Sequence, residues 1–454
     1  INGDNNQIGG NRLVGEGPLG EGNLLSGNGI NGIILYGNNN VVSGNLIGTD
    51  VKGTSAFPNY YGVFISEWCK DTLVGGTSEG EGNVISGNTF SNLDTWGNHT
   101  QVMGNLIGLD ITGSKAIRTD SQSNIIIESG ASNTVIGGTQ PEMRNIISGS
   151  DLGIIMSDPN SYQNSVIGNY IGTDITGTKA IPNNTGLTIW TVSYNRVGGT
   201  AEGEGNLISG NQIGINLNGY GVTDNIILGN IIGLDASGEK MLEGNVGIAI
   251  NMGQKHDIIG GFTTSEGNRI STKDISLRIG DPGIEYHYIA GNTISGSDVA
   301  GVFFENYSSN NYVQGNTFNM KSNAVRVDYG TANLIRSNTF SMKADNAIFL
   351  VENGNLNLAA PTIDSATTYT VSGTACPTCL IEIYQIEDNN TFYLGKTTAA
   401  ADGTFQWESC TAIEGKQIVA LAIDGMGNTS GFSTAINVTI DEGNLPDKCV
   451  SNNN

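Results

Sequence analysis

Two groups of side chains in this sequence have the types and spacing that chemistry on a sugar would need. Short segments of alternating apolar and polar residues recur along the chain, and aligning them sets the outward residues in rows. One row reads Tyr36, Ser66, Glu128, Ser157, Trp190, Asn218, Asn251, Gly280, Glu305, Asp328 and Val351. The row two residues earlier carries Ile34, Phe64, Ile126, Ile155, Thr188, Asn216, Ala249, Arg278, Phe303, Arg326 and Phe349. Toward the C-terminal end, Arg278, Glu305, Arg326 and Asp328 fall on one face. Such carboxylates can split a glycosidic bond, one donating a proton to the leaving oxygen while the other activates water or attacks, with the arginines holding an acidic sugar. The simpler reading of the same four residues, preferred here, is a surface ladder of ion pairs that neutralises neighbouring coils.

The second group is aromatic and polar. Tyr36, Trp68 and Trp190 offer flat apolar faces to sugar rings, and Asn218 and Asn251 offer amides to their hydroxyls. The plain alternative is a set of isolated exposed aromatics, which is ordinary on protein surfaces. A third stretch, Phe90 to Gln101 with Asp94, Trp96 and His99, breaks the alternation of its neighbours. It is expected to be an irregular loop, either functional or a simple insertion.

The elements that must position these residues follow from self-similarity. Val74-Gly75-Gly76-Thr77 returns at Ile136 to Thr139, Val197 to Thr200 and Ile259 to Gly261, a beat of about 62 residues. Gly44-Asn45-Leu46-Ile47-Gly48-Thr49-Asp50 keeps the same beat at Gly104, Gly168 and Gly229. Each long repeat reads as three units of roughly 20 residues, each expected to be one coil of a β-solenoid. The period is two, as in Gly62-Val63-Phe64-Ile65-Ser66, and helical spacing is absent. One coil cannot bury its own inner face, whereas stacked coils bury it continuously. Asparagines at equal positions would stack as internal amide ladders, and the 66 glycines would serve the turns. Ile1 opens directly in repeat sequence, and because a bare solenoid end exposes unpaired edges, a further N-terminal segment is expected.

On these repeats the chain resembles the right-handed parallel β-helix superfamily of pectin-lyase-like proteins, and more closely the Gly-Asn-rich repeat proteins of bacterial surfaces. The resemblance spans residues 1–358 and implies an all-β chain with three strands per coil. It leaves function open, since that scaffold hosts lyases, hydrolases, epimerases, phage tailspikes and adhesins. From Ala360-Pro361 the pattern changes to longer alternating runs such as Leu380-Ile381-Glu382-Ile383-Tyr384 and Val419-Ala420-Leu421-Ala422-Ile423, giving a small antiparallel β-sandwich over 359–441. That module looks like the immunoglobulin-like spacers of proteins secreted by Bacteroidetes-type bacteria. Residues 442–454 look like the linker that leads, in those proteins, to a type nine sorting domain.

Charge and composition narrow the partners. Asp plus Glu number 43 against 20 Lys plus Arg, a net charge of −23, which disfavours nucleic acid and anionic membranes. No apolar run is long enough to cross a bilayer. Four of five cysteines (Cys376, Cys379, Cys410, Cys449) cluster near the C-terminus and read as structural disulfides of an oxidising compartment. Asp50, Asp110, Asp174 and Asp235 open Asp-x-x-Gly turns, where they would cap their own backbone; calcium is the alternative, though one carboxylate per turn is too few ligands. No other cofactor is indicated, and neither a nucleophile-elbow, Walker nor zinc-protease motif occurs. The leading expectation is a secreted or cell-surface protein that binds a glycan or another surface through the solenoid face. A polysaccharide hydrolase or lyase is the rival, and a structural stalk the third reading.

Overall fold

In the computed structural model the chain is a right-handed parallel β-helix of three strands per coil, followed by a small antiparallel β-sandwich. The structure describes all residues except 18, 120–122, 222, 264, 342–346, 414–415, 441–445, 447–448 and 450–454. Most of the expected linker, 442–454, thus lies outside the described residues. The chain forms two compact units, residues 1–274 and 275–454.

In the first unit each strand pairs, in parallel, with the strand three places later in the chain. Three sheets result. The first runs from Gln7–Gly9 to Ile258–Gly260, the second from Leu24–Leu25 to Arg269–Thr272, and the third from Asn31–Leu35 to Val246–Asn251. Like residues stack inward at every step. Val42, Val74, Val102, Ile136, Val166 and Val197 are fully buried under the first sheet, and Ile47, Ile85, Ile107, Ile147 and Ile171 under the second. Each such side chain contributes roughly 1.5–3 kcal/mol. Because the side-chain period is two, a one-residue slip would turn each stack outward, which pins the register.

The coils are longer than the repeat suggested. Successive strands of the first sheet begin 28–34 residues apart, so the 62-residue beat covers two coils rather than three. The Gly-Asn phrases mark corners, and each coil has more than one, so reading every phrase as a coil end makes the coils too short. Two coils alternate because their loops do. One carries a Gly-Gly loop such as 76–82 between the first and second sheets, and the next carries an Asp turn such as 50–56 between the second and third. Gly75, at φ +100, is confined to glycine, since a Cβ there would run into the Met103 carbonyl of the next coil.

The amide ladders are present at the corners. Asn45, Asn83, Asn105, Asn145, Asn169, Asn206, Asn230 and Asn268 form one continuous series, each donating its backbone and side-chain N–H groups to the Oδ1 of the next. Asn105 Nδ2 also donates to the Val74 and Met103 carbonyls at 2.9 Å. A second series, Asn164, Asn195 and Asn225, leads to Asp257, whose Oδ1 accepts from Asn225 N at 2.9 Å and Nδ2 at 3.2 Å. Burial pushes the Asp257 carboxyl up to about 7 against the lowering effect of those bonds.

The second unit has shorter coils: Tyr288–Ala290, Tyr312–Gln314 and Leu334–Arg336 pair in parallel and begin 22–24 residues apart, and its last coil strand is Ile348–Val351. Antiparallel strands begin at Thr362–Ala366. Three of them, Thr362–Ala366, Thr370–Thr374 and Thr404–Glu408, make one sheet. The other is Asn390–Thr398, Leu380–Glu387, Gln417–Ile423 and Ile436–Asn437, with Ile363, Val371, Ile381, Phe405 and Ile418 in the core between them. Rather than standing off as a spacer, the sandwich extends the solenoid: Asn390–Thr398 pairs antiparallel with Thr339–Ser341 of the last coil. The buried Glu382 accepts from Ser337 N (2.8 Å) and Tyr384 OH (2.7 Å) and lies 3.5 Å from Arg336. An edge that would otherwise template other strands is thereby covered. Disulfides join Cys376 to Cys379 and Cys410 to Cys449, while Cys69 is buried and free.

Asn105→Ala is expected to lower stability by about 3 kcal/mol or more in chemical unfolding, since it orphans groups on both neighbouring rungs. Asn23→Ala, at the exposed end rung, should cost about 1 kcal/mol or less. For Asp257, the folded chain keeps a proton between pH about 4 and about 7 that the unfolded chain has lost, so stability falls as pH rises through that window. Asp257→Asn keeps the acceptor, and its unfolding free energy should decline less over that window than the parent's.

Candidate functional site

The third sheet presents the rows that the sequence outlined, with one insertion that changes their meaning. Ser91–Thr95 is a regular strand of this sheet, paired in register with Tyr61–Ile65 on one side and Ser123–Ile127 on the other. The expected irregular loop at Phe90 to Gln101 is therefore a coil like its neighbours. Its alternation is disguised because Asp94 stands where adjacent coils have Phe64 and Ile126, and Asn92 joins an internal amide ladder through Asn88 and Asn124. Outside the strand, His99 occupies a turn at φ +56 and pairs with Asp71 at 3.3 Å, both exposed.

Placing that strand in the sheet assembles a site. Asp94 is 1% exposed, and neither carboxylate oxygen has a hydrogen-bond partner. Around it runs a ring cluster. Phe64 meets Trp96 edge-on at 4.9 Å, Tyr61 lies 5.4 Å from Phe64 and 5.3 Å from Phe90, and Tyr60 stacks on Phe90 at 5.3 Å and 12°. Tyr60 and Phe90 are exposed, and Tyr61, Phe64 and Trp96 half-buried. Trp96 Nε1 donates to Glu128 Oε1 at 3.2 Å, and Ser157 Oγ donates to Glu128 Oε2 at 3.3 Å. Three successive coils are thus tied along one row.

This environment holds the Asp94 proton. Burial among the rings is the main cause, the nearby Glu128 charge adds to it, and the Trp96 indole opposes it, leaving the carboxyl up at about 8. Tyr61 is raised as well, by burial first and then by Asp94. At neutral pH the site therefore holds a protonated acid, a second carboxyl and flat apolar faces within three successive coils.

The other candidates separate. Trp190, Asn218 and Asn251 lie side by side in register, with Asn251 Nδ2 donating to Asn216 Oδ1 at 2.9 Å and Asn218 Oδ1 buried without a partner. Trp190 is 51% exposed. Tyr36 and Trp68, 44% and 70% exposed, follow the first and second strands of the sheet, about 20 Å from Trp190 at the strand spacing. In the second unit, Arg278, Phe303 and Arg326 are in register. Arg278 Nε binds Glu305 at 3.0 Å, and Arg326 holds Asp328 through two bonds of 3.0 and 2.8 Å while resting 4.6 Å over Phe303. Each carboxylate is closed into an ion pair with its own arginine. Asp50, Asp110, Asp174 and Asp235 accept from backbone amides of their own turns. Among the described residues no three His, Cys, Asp or Glu side chains converge as a metal site.

Sequence reasoning missed Tyr60, Tyr61 and Phe90 and the pairing of Asp94 with Glu128. The available signal was five aromatics, at 60, 61, 64, 90 and 96, within two coils.

No family profile matches this chain. No curated protein sequence matches it either. Among solved structures it is similar to the periplasmic alginate epimerase AlgG, at 15% identity and a TM-score of 0.39 over 66% of each chain. It is also similar to the tailspike protein of E. coli bacteriophage HK620 in complex with pentasaccharide, at 11% identity and a TM-score of 0.29 over 84% of this chain and 85% of that one. A third is tailspike protein 2 of E. coli O157:H7 bacteriophage CAB120, at 11% identity and 0.26 over 92% and 64%. The chain spans slightly under two thirds of the length of the epimerase and of that last tailspike.

Proposed function

We propose that this chain is a secreted or cell-surface protein that binds a glycan on the outer face of the third sheet, centred on Tyr60, Phe90 and Trp96. The carrying observation is the ring cluster around Asp94 and Glu128: exposed flat rings stack against the apolar faces of sugars, and the partly exposed Glu128 carboxylate accepts from their hydroxyls. Trp190 with Asn218 and Asn251 would extend the track along the same row. The two disulfides suit an oxidising compartment. Export by a type nine route belongs to this proposal and rests on the resemblance of the C-terminal module.

A glycan array probed with the full chain tests it, followed by titration of the best ligand. Trp96→Ala and Tyr60→Ala should each weaken binding about tenfold or more. A ligand held equally well by both variants would move the site elsewhere, and a blank array would leave a structural stalk.

The Asp94 proton favours a second reading, a polysaccharide hydrolase in which Asp94 protonates the leaving oxygen and Glu128 activates water or attacks. Asp94 lies beneath the rings, which is why binding is preferred. On this reading, incubation with polysaccharides releases new reducing ends, the rate falls as pH rises past about 8, and Asp94→Asn lowers it by about a hundredfold or more. Activity that survives Asp94→Asn with its pH limb intact would exclude Asp94 as the acid.

A further inference from the structure

The outer face of the second sheet is built differently from that of the third. Its outward row is aliphatic, with Leu106, Ile146, Leu207 and Ile231 in register around Tyr170. Walls rise on both sides because the loops of alternate coils stack on each other across the coil between them. Asp turns join through Ile111 N to Gly53 O, Ile175 N to Gly113 O and Ala236 N to Gly177 O, each at 2.9 Å. On the other side the segment at Asn11 and Arg12 lies on the next Gly-Gly loop, through Asn11 Nδ2 to Glu79 O at 2.8 Å and Arg12 N to Gly80 O at 3.0 Å.

Between the walls lie two cavities of about 410 and 320 Å³, and Arg144 borders both. Arg144 rests 4.0 Å over the Tyr170 ring and donates from Nε to the Gly168 carbonyl at 3.3 Å, which holds its guanidinium at their boundary. Arg12 lines the larger cavity, and its Nη1 is buried with no hydrogen-bond partner. A buried guanidinium N–H without an acceptor is costly, and a ligand carboxylate is the group that relieves it most.

We propose that this groove binds an acidic peptide segment whose carboxylates are spaced among aliphatic side chains. Aliphatic side chains match Leu106 on the floor and the exposed Ile111 and Ile175 on the wall, and a carboxylate meets Arg12. Three features disfavour an anionic sugar chain. The one aromatic residue lining these two cavities, Tyr170, has a face covered by Arg144. Glu79 and Glu142 are exposed on the rim of the larger cavity, and the chain carries −23 overall, so a ligand with a charge on every unit is repelled. The site is separate from the proposed glycan face.

Isothermal titration of the full chain with the capped hexapeptide Leu-Glu-Leu-Asp-Val-Glu, with its Gln and Asn counterpart, and with a six-unit oligogalacturonate tests the proposal. The acidic peptide should bind at least about tenfold more tightly than either of the other two. Arg12→Gln should weaken it by a similar factor, and so should Ile111→Trp, which narrows the groove without touching an arginine. Trp96→Ala should leave it unchanged, so failure here is distinguishable from failure of the glycan reading. Equal binding of the amide peptide, preference for the oligogalacturonate, indifference to Ile111→Trp, or no heat at millimolar peptide would each overturn it.

Discussion

Coil-to-coil registration of buried asparagines is the constraint on which the rest of this structure depends. A solenoid coil turns three corners, and at each the backbone leaves one sheet before it enters the next, so its N–H groups lose their strand partners inside the core. Asn105 shows the solution: its Oδ1 takes the backbone and side-chain N–H groups of Asn83, and its own amide satisfies two carbonyls and the next rung. Leucine would fill the space but satisfy none of these groups. Because each rung needs its counterpart at the same height, the ladder fixes corner positions while the apolar stacks fix which face points inward.

With corners and strands held in this way, variation is pushed into two places, the outward rows and the connecting loops. The loops use it by alternation. A Gly-Gly loop in one coil and an Asp turn in the next leave space above each for the loop two coils away, and the stacked loops become walls. The second sheet therefore lies at the bottom of a groove, while the third sheet, reached by shorter connections in every other coil, stays open. One short repeat thus yields two faces of different chemistry, one aliphatic with guanidinium groups and one aromatic with carboxyl groups.

Fold class was legible in the sequence because the signals were periodic. Inward alternation, recurring Gly-Asn corners and the 62-residue beat each point to a parallel solenoid, and the outward rows were in register from Ile34 to Phe64, from Ile126 to Ala249 and from Arg278 to Phe349, with the coil of Asp94 left out between Phe64 and Ile126. Coil length was not legible, because a Gly-Asn corner looks the same whichever two sheets it joins. The site at Asp94 was hidden for a related reason. Its strand, Ser-Asn-Leu-Asp-Thr, carries a single apolar residue, Leu93, so it lacks the alternation by which strands are recognised. Only pairing with the strands on either side shows that Asn92 is an inward rung and Asp94 an outward residue. By contrast, the ion pairs expected among Arg278, Glu305, Arg326 and Asp328 are present, Arg278 closing on Glu305 and Arg326 on Asp328.

Asp94 and Asp257 are two carboxyls raised by burial in different surroundings. Asp257 takes the place of an asparagine in a ladder, and its hydrogen bonds offset part of its burial. The oxygens of Asp94 make no hydrogen bond, only the nearby Trp96 indole works against its burial, and it stands at the position that Ile126 fills one coil on. A chain selected for stability alone would place an apolar side chain there. The strand that carries Asp94 is held from both sides by backbone pairing and by the Asn92 rung, so the surrounding coils bear the cost locally without losing register. A destabilising acid beneath the rings of Tyr61, Phe64 and Trp96 is therefore not something that the scaffold itself requires.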